Sequence, residues 1–232
     1  MAIEFGLLTL GAYLLGSVPA AYLAARWSRG IDIRQCGDGN VGSTNLMRLT
    51  SKRIAIPVVI FDLGKGALMV WVAQLLGLDI PQQVTVGLAA IIGHNWPVFL
   101  HFNGGRGIFT SLGVISILAP WLGLIVLVIA YGLAPFHQLA VGVFLAVIFA
   151  PTGAWVLSQP LGVTDKLPIT LGFLAIFLIV LIRRSTAPRT IFTSSVPLGQ
   201  LLVNRLLFDR DIRDREAWIK QRPSQPEKQG KG

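Results

Sequence analysis

Apolar residues occur in long, nearly uninterrupted blocks along this 232-residue chain. About 20 apolar residues suffice to cross the hydrocarbon core of a membrane. The pattern therefore predicts an all-α protein, a polytopic transmembrane helical bundle. The candidate spans are residues 3–27, 54–78, 84–102, 108–136, 139–158 and 167–182.

The distribution of positive charge indicates how these spans are oriented. Of the 20 Lys and Arg residues, six lie between residues 26 and 53, one is Arg106 and eleven follow residue 182. Because Lys and Arg concentrate in cytoplasmic loops, all three stretches are expected in the cytoplasm. The connection at residues 79–83, which has no Lys or Arg, is then expected outside. The net charge of +9 is thus assigned to loops between spans, and no nucleic acid partner is expected.

The apolar block at residues 108–136 must be divided for this orientation to hold. If it crossed the membrane once, the basic tail would lie outside. Pro120, near its middle, removes a backbone donor and breaks or kinks a helix. A break there predicts about seven membrane segments, with the N-terminus outside and the C-terminus cytoplasmic. Residues 108–118 would then form a half-depth helix of about 16 Å.

Three regions are predicted along the chain. Residues 1–184 are predicted to form a transmembrane domain, whose first block lacks a preceding basic region and is interpreted as a retained span rather than a cleaved signal. Residues 185–221 form a cytoplasmic tail, in which leucines near helical spacing predict an amphipathic helix on the membrane face. Residues 222–232 are polar and predicted to be disordered. The single cysteine, Cys36, excludes an internal disulfide and is expected to be an inert buried thiol.

A glycine-rich loop after the first span carries the first chemical signal. Glycines let backbone N–H groups approach an anion closely, and an arginine fork suits phosphate. Glycine and asparagine also form ordinary turns between helices, and that alternative stays open. The candidate phosphate ligands are Gly37, Gly39, Asn40, Gly42, Thr44, Asn45 and Arg48.

A second glycine-rich turn follows the third span. A turn that precedes a helix start could hold a phosphate between backbone amides, the helix N-terminus and a cation. Its candidate ligands are Gly104, Gly105, Arg106 and Gly107. His94 lies within the apolar block before it, where an ionisable group suggests function, although a satisfied core histidine is an equal alternative. The turn could also be a tight connection whose arginine only follows the charge bias.

Two further charges, Asp62 and Lys65, lie three residues apart within the second span and share a helix face. They could neutralise each other, or Asp62 could hold a substrate-facing Lys65. The chain has no G-x-S-x-G elbow, H-E-x-x-H motif, P-loop or Cys/His metal spacing, so no metal or organic cofactor is expected. These residues predict an integral protein that handles a phosphorylated small molecule at the inner face of a membrane.

An ordered set of motifs over about residues 11–115 resembles the bacterial acyl-phosphate:glycerol-3-phosphate acyltransferase family, which is membrane-integral. The matching motifs are Gly16-Ser17-Val18-Pro19, Asp32-Ile33-Arg34, the glycine-rich loop through Arg48, Asp62-x-x-Lys65-Gly66, Gly93-His94-x-x-Pro97-Val98-Phe99 and Phe102-x-Gly104-Gly105-x-Gly107.

The resemblance implies transfer of a fatty acyl group from acyl phosphate to glycerol 3-phosphate, which gives lysophosphatidic acid and inorganic phosphate in phospholipid synthesis. It implies a location in the bacterial inner membrane with a cytoplasmic active face, and acyl phosphate, glycerol 3-phosphate and membrane lipid as partners. It also implies that the transmembrane domain, residues 1–184, is the catalytic domain, with His94, Lys65 and Arg106 as the candidate catalytic residues and His94 and Lys65 as electrostatic contributors. No residue stands out as a general base.

The chain also departs from the family pattern. The family has Ser at Asp38, Ala at Ser43 and Lys at Arg106. A carboxylate at position 38 would repel phosphate unless it pairs with Arg34 or Arg48. The family's C-terminal motif has a His and an Asn ahead of Arg-Leu-Leu and a Gly-x-Glu after it. Here Arg205-Leu206-Leu207 resembles a remnant, with Gly199 and Leu202 at the His and Asn positions, and the mid-chain Tyr-x-Ser-Leu-x-Ser is represented only by residues 131–135.

These departures leave two other classes of function open. A non-catalytic paralogue that binds lipid phosphate is one alternative, and an anion transporter built on half-helices is another.

Overall fold

The computed structural model describes residues 2–187 and 196–220, and these residues form eleven α-helices joined by turns. The predicted disordered tail at residues 222–232 and part of the predicted amphipathic tail lie outside the described residues. The helices are α1 (Ala2–Ser17), α2 (Ala20–Arg29), α3 (Ser43–Leu49), α4 (Lys52–Leu75), α5 (Ile80–Asn95), α6 (Ile108–Leu118), α7 (Pro120–Gly132), α8 (Leu139–Val156), α9 (Lys166–Ser185), α10 (Leu198–Phe208) and α11 (Arg215–Lys220).

Four helical stretches in the described residues are long and apolar enough to cross a membrane, which confirms the predicted all-helical membrane fold. They are Ala2–Arg29, Lys52–Leu75, Leu139–Val156 and Lys166–Ser185. Helices α6 and α7 are apolar but shorter, with 11 and 13 residues.

The predicted break at Pro120 is present. Helix α6 ends at Leu118 and α7 begins at Pro120, while Ala119 between them has a non-helical backbone with φ −148° and ψ 81°. Proline suits the first position of a helix because its missing N–H would be unbonded there anyway.

The first apolar block was expected to be one helix over residues 3–27, and the structure corrects this. Helix α1 ends at Ser17 because Pro19 has no N–H to continue the helical hydrogen bonds. The ammonium of Lys65 donates to the carbonyl oxygens of Gly16 at 2.9 Å and Val18 at 3.4 Å. A buried cation from α4 thus satisfies carbonyls that the break leaves open.

The third span also differs from its predicted bounds of 84–102. Helix α5 begins at Ile80, after a capping box in which Asp79 and Gln82 exchange hydrogen bonds. It ends at Asn95, because Pro97 cannot extend it. The residues from 96 to 107 are thereby free to fold back as a turn against the end of α5.

Close helix contacts at glycines organise the bundle. A Cβ at Gly93 would lie 2.2 Å from the carbonyl oxygen of Tyr13, so α5 packs directly on the backbone of α1. A Cβ at Gly113 would lie 2.1 Å from the carbonyl oxygen of Leu63, so α6 packs in the same way on α4. Small residues that bring backbones together are the usual means of packing helices in membranes. Helices α7, α8 and α9 pack in sequence, and α5 contacts α9.

A separate apolar cluster anchors the long loop between α2 and α3. Ile33, Cys36, Val41 and Leu46 are buried against α2 and α4. Cys36 is buried, as predicted. Helix α10 forms where the leucine spacing predicted it and packs on α8 and α9. Both the loop and α10 therefore have fixed positions at the same end of the bundle.

Candidate active site

A cavity of about 400 Å³ lies where the α2–α3 loop, the turn before α6, the α7–α8 connection and α10 meet. Its polar lining residues include Asp38, Asn40, Thr44, Arg48, Asp62, His94, Arg106, Arg184 and Asp209. Its apolar or aromatic lining residues include Ile108, Phe109, Tyr131, Leu139, Val143, Phe208 and Trp218. The cavity can therefore accept a ligand with an anionic end and an apolar end.

Asn45 shapes the glycine-rich loop from inside. Its side-chain NH₂ donates to the carbonyl oxygens of Ile33, Cys36 and Asn40, and its Oδ1 accepts the backbone N–H of Asp38 at 3.2 Å. Its amide is fully buried and does not line the cavity. Asn45 therefore holds the loop in shape, whereas Asn40, Gly42, Thr44 and Arg48 face the cavity.

Gly37 and Gly39 allow the same loop to adopt backbone conformations that other residues rarely adopt. Their φ angles are 58° and 72°, a left-handed region that favours glycine. A Cβ at Gly37 would also lie 2.1 Å from Oδ1 of Asn45. Neither glycine lines the cavity.

Asp38 pairs with Arg48, one of the two partners that the sequence suggested. Arg48 Nη1 lies 2.9 Å from Asp38 Oδ2, and Asp38 Oδ1 accepts the backbone N–H of Asn40 at 3.0 Å. Burial raises the pKa of Asp38, and the neighbouring Arg48 opposes that rise. The other suggested partner, Arg34, binds Asp32 at 2.6 Å and lowers the pKa of that carboxyl.

The second glycine-rich turn is held by α5 and by Arg183. The backbone N–H groups of Gly104 and Gly105 donate to carbonyl oxygens of Asn95 and His94 at 3.2 and 3.1 Å. Arg183 donates to the carbonyl oxygens of the same two glycines at 2.7 and 3.0 Å. The amides predicted to bind phosphate at positions 104 and 105 are thus already used, and neither glycine lines the main cavity.

Arg106 and Gly107 do reach the cavity. Arg106 Nε donates to Asp209 Oδ1 at 2.7 Å, and Nη1 donates to the carbonyl oxygen of Arg183 at 3.3 Å. Gly107 precedes α6 with a φ of 73°, and the first helical residues Ile108 and Phe109 line the cavity. The positive end of α6 therefore faces this space, which favours an anion.

Asp62, Lys65 and His94 form one buried cluster behind the second turn. Asp62 Oδ1 lies 2.8 Å from Lys65 Nζ and 3.4 Å from His94 Nδ1. Asp62 and His94 line the cavity, but the Lys65 side chain is fully enclosed and does not. A Cβ at Gly105 would lie 2.2 Å from His94 Nε2, so the imidazole is wedged between Asp62 and the turn.

Several cavity residues were not identified from the sequence, notably His137, Arg184, Asp209 and Trp218. In the sequence, Arg183 and Arg184 at the C-terminal end of α9 indicated only the orientation of the spans in the membrane. Asp209-Arg210-Asp211 follows the Arg205-Leu206-Leu207 remnant, where the related family has Gly-x-Glu, and that spacing was a usable signal. Asp209 adopts a φ of 54°, and Asp211 binds Arg205 at 2.7 Å. Gly199 and Leu202 do not line the cavity.

Comparisons with known proteins identify the family of this chain. A family model described as glycerol-3-phosphate acyltransferase matches residues 6–194. Glycerol-3-phosphate acyltransferase 5 of Dehalococcoides mccartyi is 46% identical over 219 residues, which cover 94% of each chain. A glycerol-3-phosphate acyltransferase of a Synechococcus species is 52% identical over 118 residues, 51% of this chain and 58% of the relative.

A solved structure is similar over nearly the whole chain. The crystal structure of PlsY (YgiH), an integral membrane glycerol 3-phosphate acyltransferase in its glycerol 3-phosphate form, gives a TM-score of 0.74 at 27% identity. The similarity covers 94% of this chain and all of that chain. From the family model, the relatives and the shared fold, this chain belongs to the glycerol-3-phosphate acyltransferase family.

Proposed function

We propose that this integral membrane acyltransferase moves a fatty acyl group from acyl phosphate to the 1-hydroxyl of glycerol 3-phosphate. The products are lysophosphatidic acid and inorganic phosphate. The observation that carries the proposal is the mixed lining of one cavity, to which Arg48, Arg106 and His94 contribute polar groups and Phe109 and Tyr131 contribute aromatic rings. Both substrates bear a phosphate and one bears an acyl chain, so this cavity suits the pair.

Two groups of residues are proposed to bind phosphate. The first is the cavity face of the glycine-rich loop, with Asn40, Gly42, Thr44 and Arg48 in contact with the ligand and Gly37, Gly39 and Asn45 shaping the loop. The second is Arg106 with Gly107 and the start of α6, while Gly104 and Gly105 fix the turn that presents them. Charge-assisted hydrogen bonds from arginine to phosphate are the strong ones among protein hydrogen bonds.

The proposed chemistry depends on position and charge. The hydroxyl oxygen of glycerol 3-phosphate attacks the acyl carbonyl carbon, and the bond between that carbon and the bridging phosphate oxygen breaks. A phosphate dianion, whose second pKa is about 6, can take the hydroxyl proton, so no protein base is required. Arg106 stabilises the charge of the leaving phosphate. Lys65 acts through Asp62, which in turn positions His94 beside the turn.

The proposed topology has seven membrane segments, α1 and α4 to α9, with the N-terminus outside and the C-terminus in the cytoplasm. It is supported by the concentration of Lys and Arg at the end of the bundle that contains the cavity. The active face is then the cytoplasmic face of a bacterial inner membrane. A reporter fused after Arg222 should be active only in the cytoplasm, and activity outside would refute this topology.

A phosphate-release assay on the purified full chain tests the proposed reaction. Release of inorganic phosphate from acyl phosphate should require glycerol 3-phosphate, should not occur with glycerol in its place, and should survive a chelator because the reaction needs no metal. Binding of glycerol 3-phosphate without release would favour the non-catalytic paralogue instead. Flux of the substrate across sealed vesicles without release would favour a transporter.

A further inference from the structure

Arg184 is a buried cation that the proposed reaction does not yet use. It lies near the C-terminal end of α9, has a relative exposure of 2% and lines the cavity. Within residues 2–187 and 196–220 it forms no ion pair with a carboxylate within 4.0 Å. A buried charge costs several kcal/mol unless a partner compensates it. An anion bound in the cavity would compensate the charge of Arg184.

The hydrogen bonds of Arg184 are incomplete in a way that points to a ligand. Nη1 donates to the carbonyl oxygen of Leu206, and Nη2 donates to the carbonyl oxygen of Ala140 at 3.2 Å. Nε is buried and has no partner among the described residues. Buried donors are nearly always satisfied, so an unmet one beside a cavity marks where an acceptor belongs.

The preceding residue, Arg183, is also buried, but its hydrogen bonds hold the protein backbone in place. Its Nε donates to the carbonyl oxygen of Gly105, and its Nη2 donates to the carbonyl oxygen of Gly104 and to Oδ1 of Asn103. It does not line the cavity. The two neighbouring buried arginines thus have different surroundings: among the described residues Arg184 lines the cavity and has a buried donor without a partner, and Arg183 does neither.

We infer that Arg184 binds a phosphate oxyanion of the substrate and that Arg184 and Arg106 together form an anion site with Asp209 as its counter-ion. This inference rests on the proposed function for the identity of the ligand. Asp209 lines the cavity, accepts Arg106 Nε at 2.7 Å and follows the last residue of α10. The carbonyl of Leu206, which Arg184 contacts, belongs to the last turn of the same helix. Both arginines thus link the end of α10 to the bound phosphate.

Equilibrium binding to the full chain in detergent tests this site without any need for turnover. Arg184→Met removes the charge and keeps an apolar stem, and it should weaken binding of glycerol 3-phosphate or inorganic phosphate 10- to 100-fold. Arg184→Lys restores the charge and should recover most of the affinity. Arg53→Met is the matched control, because Arg53 is exposed in the first turn of α4 and lies outside the cavity, and it should change affinity less than twofold.

A second variant keeps the inference falsifiable if Arg184→Met does not fold. Asp209→Asn leaves Arg184 intact, and asparagine tolerates the left-handed backbone at this position. Arg106 stays anchored by its hydrogen bond to the carbonyl oxygen of Arg183, unlike Arg48, whose anchor among the described residues is Asp38 alone, so loss of the competing carboxylate should tighten phosphate binding about fivefold. Unchanged or weaker binding in Asp209→Asn, or wild-type affinity for both ligands in a folded Arg184→Met, would overturn the inference.

Kinetics identify the occupant and separate this inference from the proposed function. In Arg184→Met, the KM of the substrate whose phosphate contacts Arg184 should rise at least tenfold, while kcat changes less than threefold. A stabilising role alone would lower the unfolding temperature without that rise in KM, and this result would count against the site. The wild-type protein could bind the anion without releasing phosphate, while Arg184→Met binds it more weakly. That result would support the anion site and refute the proposed reaction.

Discussion

Replacement of Asp38 tests whether this carboxylate supports phosphate binding by holding Arg48 in position or opposes it by charge repulsion. The structure ties Asp38 to Arg48 by an ion pair of 2.9 Å between Oδ2 and Nη1, and both residues line the cavity. Asp38→Asn removes the charge but keeps an oxygen that can accept the backbone N–H of Asn40. The variant frees Arg48 and, at the same time, removes a negative charge near the bound phosphate.

The magnitudes favour weaker binding in Asp38→Asn. An arginine side chain loses up to about 2 kcal/mol of rotamer entropy when it is fixed. The ion pair with Asp38 already fixes Arg48 in the free protein, so ligand binding does not include this loss. An unpaired carboxylate 4 Å from the phosphate would repel it by about 4 kcal/mol at such a partly buried site, but the ion pair with Arg48 offsets most of that charge and leaves about 1 kcal/mol for the variant to relieve. The net loss is about 1 kcal/mol, or a fivefold rise in the dissociation constant of glycerol 3-phosphate.

Calorimetric titration of glycerol 3-phosphate into the purified variants measures this change. Asp38→Ser, which installs the residue of the related family, should shift affinity in the same direction. Asp32→Asn is the matched control, because Asp32 forms an ion pair with Arg34 in the same loop but does not line the cavity. Tighter binding in Asp38→Asn would show that repulsion dominates, and unchanged binding would place Asp38 outside the site.

The pH dependence of the same effect has a defined sign. Burial raises the pKa of Asp38, so its carboxyl takes up a proton at a higher pH than the ordinary value of about 4. As the pH falls through this raised pKa, the wild-type protein loses the charge that holds Arg48. The ratio of KM in Asp38→Asn to KM in the wild type should therefore fall toward one on acidification, and the ratio cancels titration of the substrate itself. A ratio that stays constant down to pH 4 would contradict the role of this carboxylate.

Four other single substitutions test the remaining parts of the site. Arg48→Ala and Arg106→Ala each remove a charged hydrogen bond worth about 1.5–3 kcal/mol and should raise the KM of a phosphate substrate 10- to 100-fold; unchanged kinetics in both would misplace the site. Gly105→Ala places a Cβ 2.2 Å from the imidazole behind the turn and should cost about 1–3 kcal/mol of stability by thermal unfolding in detergent, whereas a wild-type melting curve would show that the turn can adjust. Lys65→Met leaves the buried Asp62 carboxylate without its ammonium partner and should lower the free energy of unfolding by about 3–5 kcal/mol. Adding Asp62→Asn should recover part of this loss. If stability does not recover, the carbonyls at the end of α1 need the lysine as a donor.

Short-range sequence signals predicted most of the fold. Apolar length predicted the helices because a membrane span needs a continuous apolar stretch and nothing else. Pro120 predicted the α6–α7 boundary to the residue, since the missing N–H acts locally. The same property of Pro19 breaks the first block, and the interpretation failed there because hydropathy alone does not register a break within an apolar run.

The sequence by itself also determined which residue types could bind phosphate, through glycine, asparagine and arginine in two short stretches. Only the tertiary structure decided which of them face the cavity: Asn45 and Gly105 use their hydrogen bonds to brace the protein, whereas Arg48 and Arg106 reach the open space. It also brought Arg184 and Asp209, from the end of α9 and the end of α10, to the same cavity. The physical reason is that helix packing over long sequence separations sets which donors are already used, and no local pattern records that.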